Sequence, residues 1–345
     1  MTQVRTDESA SQRLLRLSES VQAVEGFAEV VASLQAGHGA ALDGVWGSSC
    51  ALAAAALLPH ATGPLVIICP HPGDVDELVD DLALFTPATC DRFPATETTA
   101  ADRTRADEEF GDRLRVIKRL AAGRQSPVLV TSIQALIQPV PDRETLTART
   151  RTLRHGDELD LDELARWLVE NGFQSMSAVA LPGEFSIRGG IIDLFAPDFE
   201  HPVRVELFGD AIESIRAFDV AAQRSLVTLD AVELSILDPG SRQRGHLADY
   251  LPPGTWLLLV EPSELDEEGR HYVDRLDDRQ SCHAVSDVLR RVYEFPSITA
   301  ESVARGSFEA SCHLRIESVE RFSGEIGRIR DELDSAAIGH DVFLV

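Results

Sequence analysis

Two stretches of this sequence lie where nucleotide chemistry is normally carried, and both lack the groups that perform it. Asp43-Gly44-Val45-Trp46-Gly47-Ser48-Ser49-Cys50-Ala51 falls between a strand-like run and a small-residue helix. A phosphate loop of the form GxxxxGK[ST] occupies that position. Gly44 fits its first glycine, but the second glycine, the lysine and the hydroxyl residue are Ser49, Cys50 and Ala51. Cys50 brings no positive charge to a β- or γ-phosphate, and Ala51 offers no hydroxyl to Mg²⁺. The apolar run Trp256 to Val260 is followed by Glu261, so Val260 stands where a hydrolysing domain needs a Mg²⁺-binding Asp. Two such relics, in the right order, imply no nucleotide cofactor and no catalytic residue.

The remaining chemistry is sparse. Lys118 is the only lysine, so a Schiff base or a phosphate-loop lysine would have to use it. The five cysteines are scattered and never arranged CxxC, a pattern of a reducing cytoplasm that offers no structural zinc site. Cys282-His283 and Cys312-His313 are adjacent pairs, which diverge on any regular element, so no metal site is expected. In PVRVELFGD, alternation sets Val203, Val205 and Leu207 on one face and Arg204, Glu206 and Phe208 on the other. An aromatic beside an arginine on a polar face suits an interface anchor. Equally, Phe208 could tuck beneath a loop and Arg204 pair with Glu206 or Glu213.

The elements that would position these groups alternate in type. Ala40 to Val45, Leu65 to Cys69 and Val128 to Thr131 read as buried parallel strands. Ser49 to Leu58, Pro72 to Phe85 and Ala106 to Ala122 read as the intervening helices. After Pro139 and Pro141 the pattern becomes strand pairs and turns, with one helix at Leu161 to Asn171 and turns at Gly189-Gly190 and Gly209-Asp210. From Ile236 the α/β character returns through Trp256 to Val260, with helix-like stretches at Ser263 to Val292 and Val319 to Leu333. The expected fold is α/β: a degenerate, helicase-like (RecA-like) parallel-sheet domain with an inserted α+β domain. Residues 1–144 form its first part, 145–235 the insert, and 236–345 the return with a helical subdomain. The apolar run Asp341 to Val345, with no turn after it, reads as the truncated end of a longer protein.

Composition narrows the partners. The 345 residues carry a formal charge of −25, which opposes a nucleic-acid grip by the chain as a whole. No run of about 18 apolar residues is present, and the N-terminal stretch to Glu19 has no apolar core for a signal peptide. A cytoplasmic, non-membrane protein is expected.

The run GEFSIRGGIIDLF, continuing through PVRVELFGDAIESIRAFD to QRS, resembles the second domain shared by UvrB and the bacterial transcription-repair coupling factors (Mfd). From about Leu14 onward the chain is similar to the UvrB-homologous N-terminal module of the coupling factors, most densely within Gly183 to Ser225. UvrB itself, an ATP-dependent damaged-DNA-binding helicase, is the alternative. It keeps an intact phosphate loop and acidic pair, and a tyrosine-rich hairpin follows that loop. Here Leu58 passes almost directly to Leu65, and the only tyrosines are Tyr250, Tyr272 and Tyr293. The resemblance implies a non-catalytic module that recruits the excision-repair protein UvrA. It places the family's interface residues on Arg188, Arg204 and Phe208, although Arg188 could instead cap the carbonyls of its Gly-Gly turn. RNA polymerase, DNA and the ATP-driven translocase motor belong, by the same resemblance, to parts of the parent beyond this chain.

Overall fold

The computed structural model describes residues 10–96, 103–237, 244–303 and 309–316. The expected helix at Val319 to Leu333 and the run Asp341 to Val345 lie outside the described residues. In chain order, α1 (Ala10–Leu15), α2 (Leu17–Gln22) and α3 (Phe27–Gln35) precede β1 (Ala40–Asp43), α4 (Ser49–Leu57), β2 (Leu65–Cys69) and α5 (Gly73–Phe85). Then come β3 (Cys90–Phe93), α6 (Arg103–Ala121), β4 (Val128–Ser132), α7 (Ile133–Ile137) and α8 (Arg143–Ala148). The next segment holds β5 (Thr150–Arg154), α9 (Leu161–Glu170), β6 (Gln174–Ser175), β7 (Glu184–Arg188) and β8 (Ile191–Phe195). It continues through β9 (Val203–Phe208), β10 (Ala211–Phe218), β11 (Ser225–Thr228) and β12 (Ala231–Ser235). The last described elements are β13 (Trp256–Val260), α10 (Pro262–Asp274), α11 (Val285–Val292), β14 (Ser297–Glu301) and β15 (Ser311–His313).

Seven strands make one parallel sheet in the order β15-β1-β14-β13-β2-β4-β3. β2 and β13 are continuous apolar runs because helices cover both of their faces, which leaves no polar side to the strand. On one face α4 packs with its alanines fully buried, and on the other lie α6, α7, α10 and α11. Trp256 pairs in register with Leu65, so the chain after residue 236 rejoins the sheet begun by β1 and β2. β14 lies between β1 and β13 and brings the ends of those two strands together.

The insert hangs from a two-stranded antiparallel ribbon. β5 carries the chain out and β12 brings it back, with Thr150 opposite Ser235 and their hydroxyls 2.8 Å apart. Beyond the ribbon, six strands form a second sheet in the order β11-β10-β9-β8-β7-β6, whose inner face packs against Leu164 and Leu168 of α9. Gly189 (φ +61°) and Gly209 (φ +63°) each take the first central position of a two-residue hairpin turn. A left-handed residue there matches the twist of the flanking strands, and glycine adopts it without a side-chain penalty.

Candidate functional site: the outer face of the inserted sheet

Register decides which side chains meet. Ser186 pairs with Asp193, Asp193 with Arg204 and Arg204 with Arg216, so these four cross the sheet on one line. The next line runs Arg188, Ile191, Glu206. Directly paired residues share a face, as do residues two and four apart on a strand. Arg188, Arg204 and Phe208 therefore all lie on the outer face, opposite Val203, Val205 and Ile192 in the core. Arg204 and Phe208 are four residues apart, roughly 13 Å along β9, and Arg188 lies two strands away, roughly 10 Å.

Each of the three has its own environment. Phe208 is 81% exposed and tucks under nothing. Arg204 is paired, but with neither Glu206 nor Glu213. Its Nε and Nη2 donate to the two carboxylate oxygens of Asp193 at 2.7 and 2.8 Å, and its guanidinium carbon lies 4.9 Å from the centre of the Phe218 ring. The bond to Asp193 pushes the arginine further toward its charged form. Glu206 is taken by the Ser214 hydroxyl at 2.8 Å and by Arg216. These hold its carboxyl below the ordinary range, the Ser214 bond foremost. Arg188 is exposed and donates to the Ser177 carbonyl, in the loop that follows β6 and not in its own turn. The face is thus a set of fixed charges with one bare aromatic at its end.

The loop from Gly44 to Ala51 sits at the carboxyl end of the parallel sheet. Gly44 (φ +74°) is required because the chain leaving β15 crosses it: a Cβ there would collide with the Leu314 carbonyl. Four amides of the loop, those of Val45, Trp46, Ser49 and Cys50, bond within the protein. Val45 donates to the Glu301 carbonyl, Ser49 to Trp46 and Cys50 to Gly47, at 3.0–3.2 Å. The Ser49 hydroxyl accepts from the Trp46 amide at 2.8 Å and donates to the Trp46 carbonyl at 2.6 Å. Cys50 and Ala51 are buried in the core. Burial pushes the Cys50 thiol up to about 12, and Glu261, Asp74 and Asp81 reinforce that shift. Val260 ends β13, and Glu261 follows it in a left-handed conformation (φ +45°) just before Pro262. The Glu261 carboxylate accepts the Ser302 amide at 2.8 Å, tying the end of β13 to that of β14.

A family model described as the UvrB interaction domain matches residues 152–236. Over 217 residues the chain is 36% identical to a transcription-repair-coupling factor of Myxococcus xanthus, covering 60% of this chain and 18% of the relative. Over 267 residues it is 31% identical to that of Bacillus subtilis (strain 168), covering 74% and 23%. For Escherichia coli (strain K12) the figures are 29% over 202 residues, covering 58% and 18%. The chain belongs to the transcription-repair-coupling factor family. It spans less than a quarter of the length of these curated relatives.

In this coupling-factor module the matched segment begins within β5 and ends just past β12, so the family model is bounded by the ribbon that carries the insert. Sequence reasoning missed Asp193, the partner that orients Arg204. It sits in IIDLF between apolar residues, and an acid at an outward position of a strand was the signal that could have found it. Ser177, which receives Arg188, lies in an irregular loop and leaves no periodic trace. Among the described residues no group of three or more metal-ligating side chains comes together. Cys312 is buried while His313, on the opposite side of β15, is exposed.

Proposed function

We propose that this module recruits UvrA to stalled transcription complexes through the outer face of the inserted sheet and performs no catalysis itself. The observation that carries this reading is Phe208, 81% exposed on the same face as a fixed arginine–aspartate pair. A bare aromatic beside oriented guanidinium groups supplies a desolvated centre and charged specificity to a partner surface. Arg188, Arg204 and Phe208 are the proposed contact residues. Capture of UvrA by this chain, lost on Phe208→Ala, tests the reading; equal capture by both proteins would overturn it.

The same proposal holds that the helicase-like domain takes no ATP. The Val45, Trp46, Ser49 and Cys50 amides are spent on internal bonds, Cys50 replaces the lysine, and the negative charges of Glu261, Asp74 and Asp81 act on Cys50. The lost lysine alone removes charge-assisted contacts worth about 1.5–3 kcal/mol each. A micromolar constant for ATP-Mg²⁺ by calorimetry, or DNA binding at physiological salt, would revive the UvrB-like helicase reading. In the proposed arrangement RNA polymerase and DNA are engaged by other parts of the parent, an ATP-dependent translocase, in the cytoplasm. Among the described residues no helix is long and apolar enough to cross a membrane.

A further inference from the structure

Where α6 meets the insert, a cleft of about 470 Å³ opens between the helix and the β5–β12 ribbon. The chain carries a formal charge of −25, yet five cationic side chains line this one cleft. Three are already matched. Lys118 Nζ lies 2.6 Å from Asp198 Oδ2 and also donates to the Glu233 carbonyl at 2.7 Å. Arg115 pairs with Asp112 at 2.7 Å, and Arg119 pairs with Asp91. Arg124, just past the end of α6, and Arg154, at the end of β5, are exposed and have no side-chain partner among the described residues. Two exposed guanidinium groups that face one cleft from two different units are placed to share an anion from outside.

We propose that this cleft binds a small phosphate-bearing anion between Arg124 and Arg154. Three arguments fix the class of ligand. The volume falls within the roughly 300–1,000 Å³ of small-molecule sites. Two guanidinium forks offer two parallel donor pairs, which a phosphate group can fill with its three or four oxygens, whereas one carboxylate satisfies only one fork. A long polyanion would extend beyond the cleft into the negative field of the rest of the chain, while a small anion stays within it.

The site joins the two units. Lys118 ties α6 to the ribbon at Glu233, which pairs with Thr152, and Arg154 stands two residues further along β5, roughly 7 Å away. An anion held by both arginines therefore adds a second bond between helix and ribbon beside the first. This inference is independent of UvrA binding and of the relic loop.

Pyrophosphate is the probe, titrated by calorimetry at low salt into the whole chain, into the double variant Arg124→Gln/Arg154→Gln, and into Arg279→Gln outside the cleft. Each charge-assisted fork is worth about tenfold in affinity. The double variant should bind at least about tenfold more weakly, and Arg279→Gln should bind like the parent. Circular dichroism shows whether the double variant is folded; should it not be, Arg154→Gln alone is expected to lose about tenfold. Equal binding by all three proteins, or no heat from the parent, would overturn the proposal. So would a single-stranded oligonucleotide that binds the parent more tightly than pyrophosphate and loses that binding in the double variant.

Discussion

Arg204 and Asp193 face each other across the β8–β9 ladder, joined by two hydrogen bonds of 2.7 and 2.8 Å. The pair makes Arg204 a structural residue as well as a proposed contact, and this separates it from Phe208. Phe208→Ala should weaken UvrA binding by about 2 kcal/mol or more, roughly thirtyfold, with the melting temperature unchanged. Arg204→Ala should weaken binding and also cost roughly 1–2 kcal/mol of stability, because Asp193 loses its partner. Calorimetry and thermal melts of both variants check this. A Phe208→Ala protein that melts early and still binds UvrA would sink the assignment.

Lys118 and Asp198 join α6 to the insert with little exposure to water, 12% and 4% of their side chains. Lys118→Met leaves the carboxylate buried without its hydrogen-bonded cation, a loss of about 3–5 kcal/mol. Burial holds the Asp198 carboxyl above its ordinary range even with Lys118 beside it. A raised folded-state value means that the folded chain keeps the proton longer than the unfolded chain. The protonated form therefore supports folding at low pH, and that support is lost as pH rises through the folded value. Urea unfolding of Lys118→Met should show stability falling as pH rises above the ordinary Asp value of about 4, more steeply than in the parent. A flat profile would contradict it.

His246 is buried, caps a short turn by accepting the Ala248 amide at 3.1 Å, and packs edge-on to His283 with ring centres 5.2 Å apart. Burial foremost, then His283 and Arg291, pushes it down to about 4. The unfolded chain takes up its proton first, so stability falls as pH drops from about 6.5 toward 4, by about 3 kcal/mol in all. His246→Asn keeps an acceptor at the cap and removes the titration. Its stability should vary less with pH over that window when both proteins are unfolded in urea.

Thiol chemistry reports on the loop from Gly44 to Ala51. Cys50 is 2% exposed and its thiol is held up to about 12, so in the native protein it is neutral and shielded at about pH 8. Alkylation followed by mass spectrometry should label Cys282 before Cys50, and label Cys50 only on unfolding. Fast native labelling of Cys50 would mean an accessible loop and favour a working nucleotide site.

The legible parts of this fold are those whose chemistry is local. LVIIC and WLLLV announce strands covered on both faces, and the alternation of such runs with helices marks out the parallel sheet. β14, at the heart of the same sheet, reads SITAE: its five residues are all buried, but the serine, threonine and glutamate break the apolar run that marks such a strand. β15, only Ser-Cys-His, is too short for a pattern. The stretch Ser263 to Val292 reads as one charged helix but is two, α10 and α11. The outer face was half legible. Alternation along β9 brings Arg204 to the side of Phe208, but Asp193 and Ser177 reach the arginines only through pairing between strands and loops. The partner of Lys118 is 80 residues away in sequence, a distance no periodicity spans.

The ribbon of β5 and β12 has an evolutionary corollary. Thr150 and Ser235 are paired across one rung, about 5 Å apart. A tight turn could close that gap if everything beyond were deleted, and a unit of any length could be spliced in without stretching the host sheet. The insert behaves as a cassette. A unit mounted in this way can be gained, lost or lengthened in evolution while the seven-stranded host sheet keeps its own register.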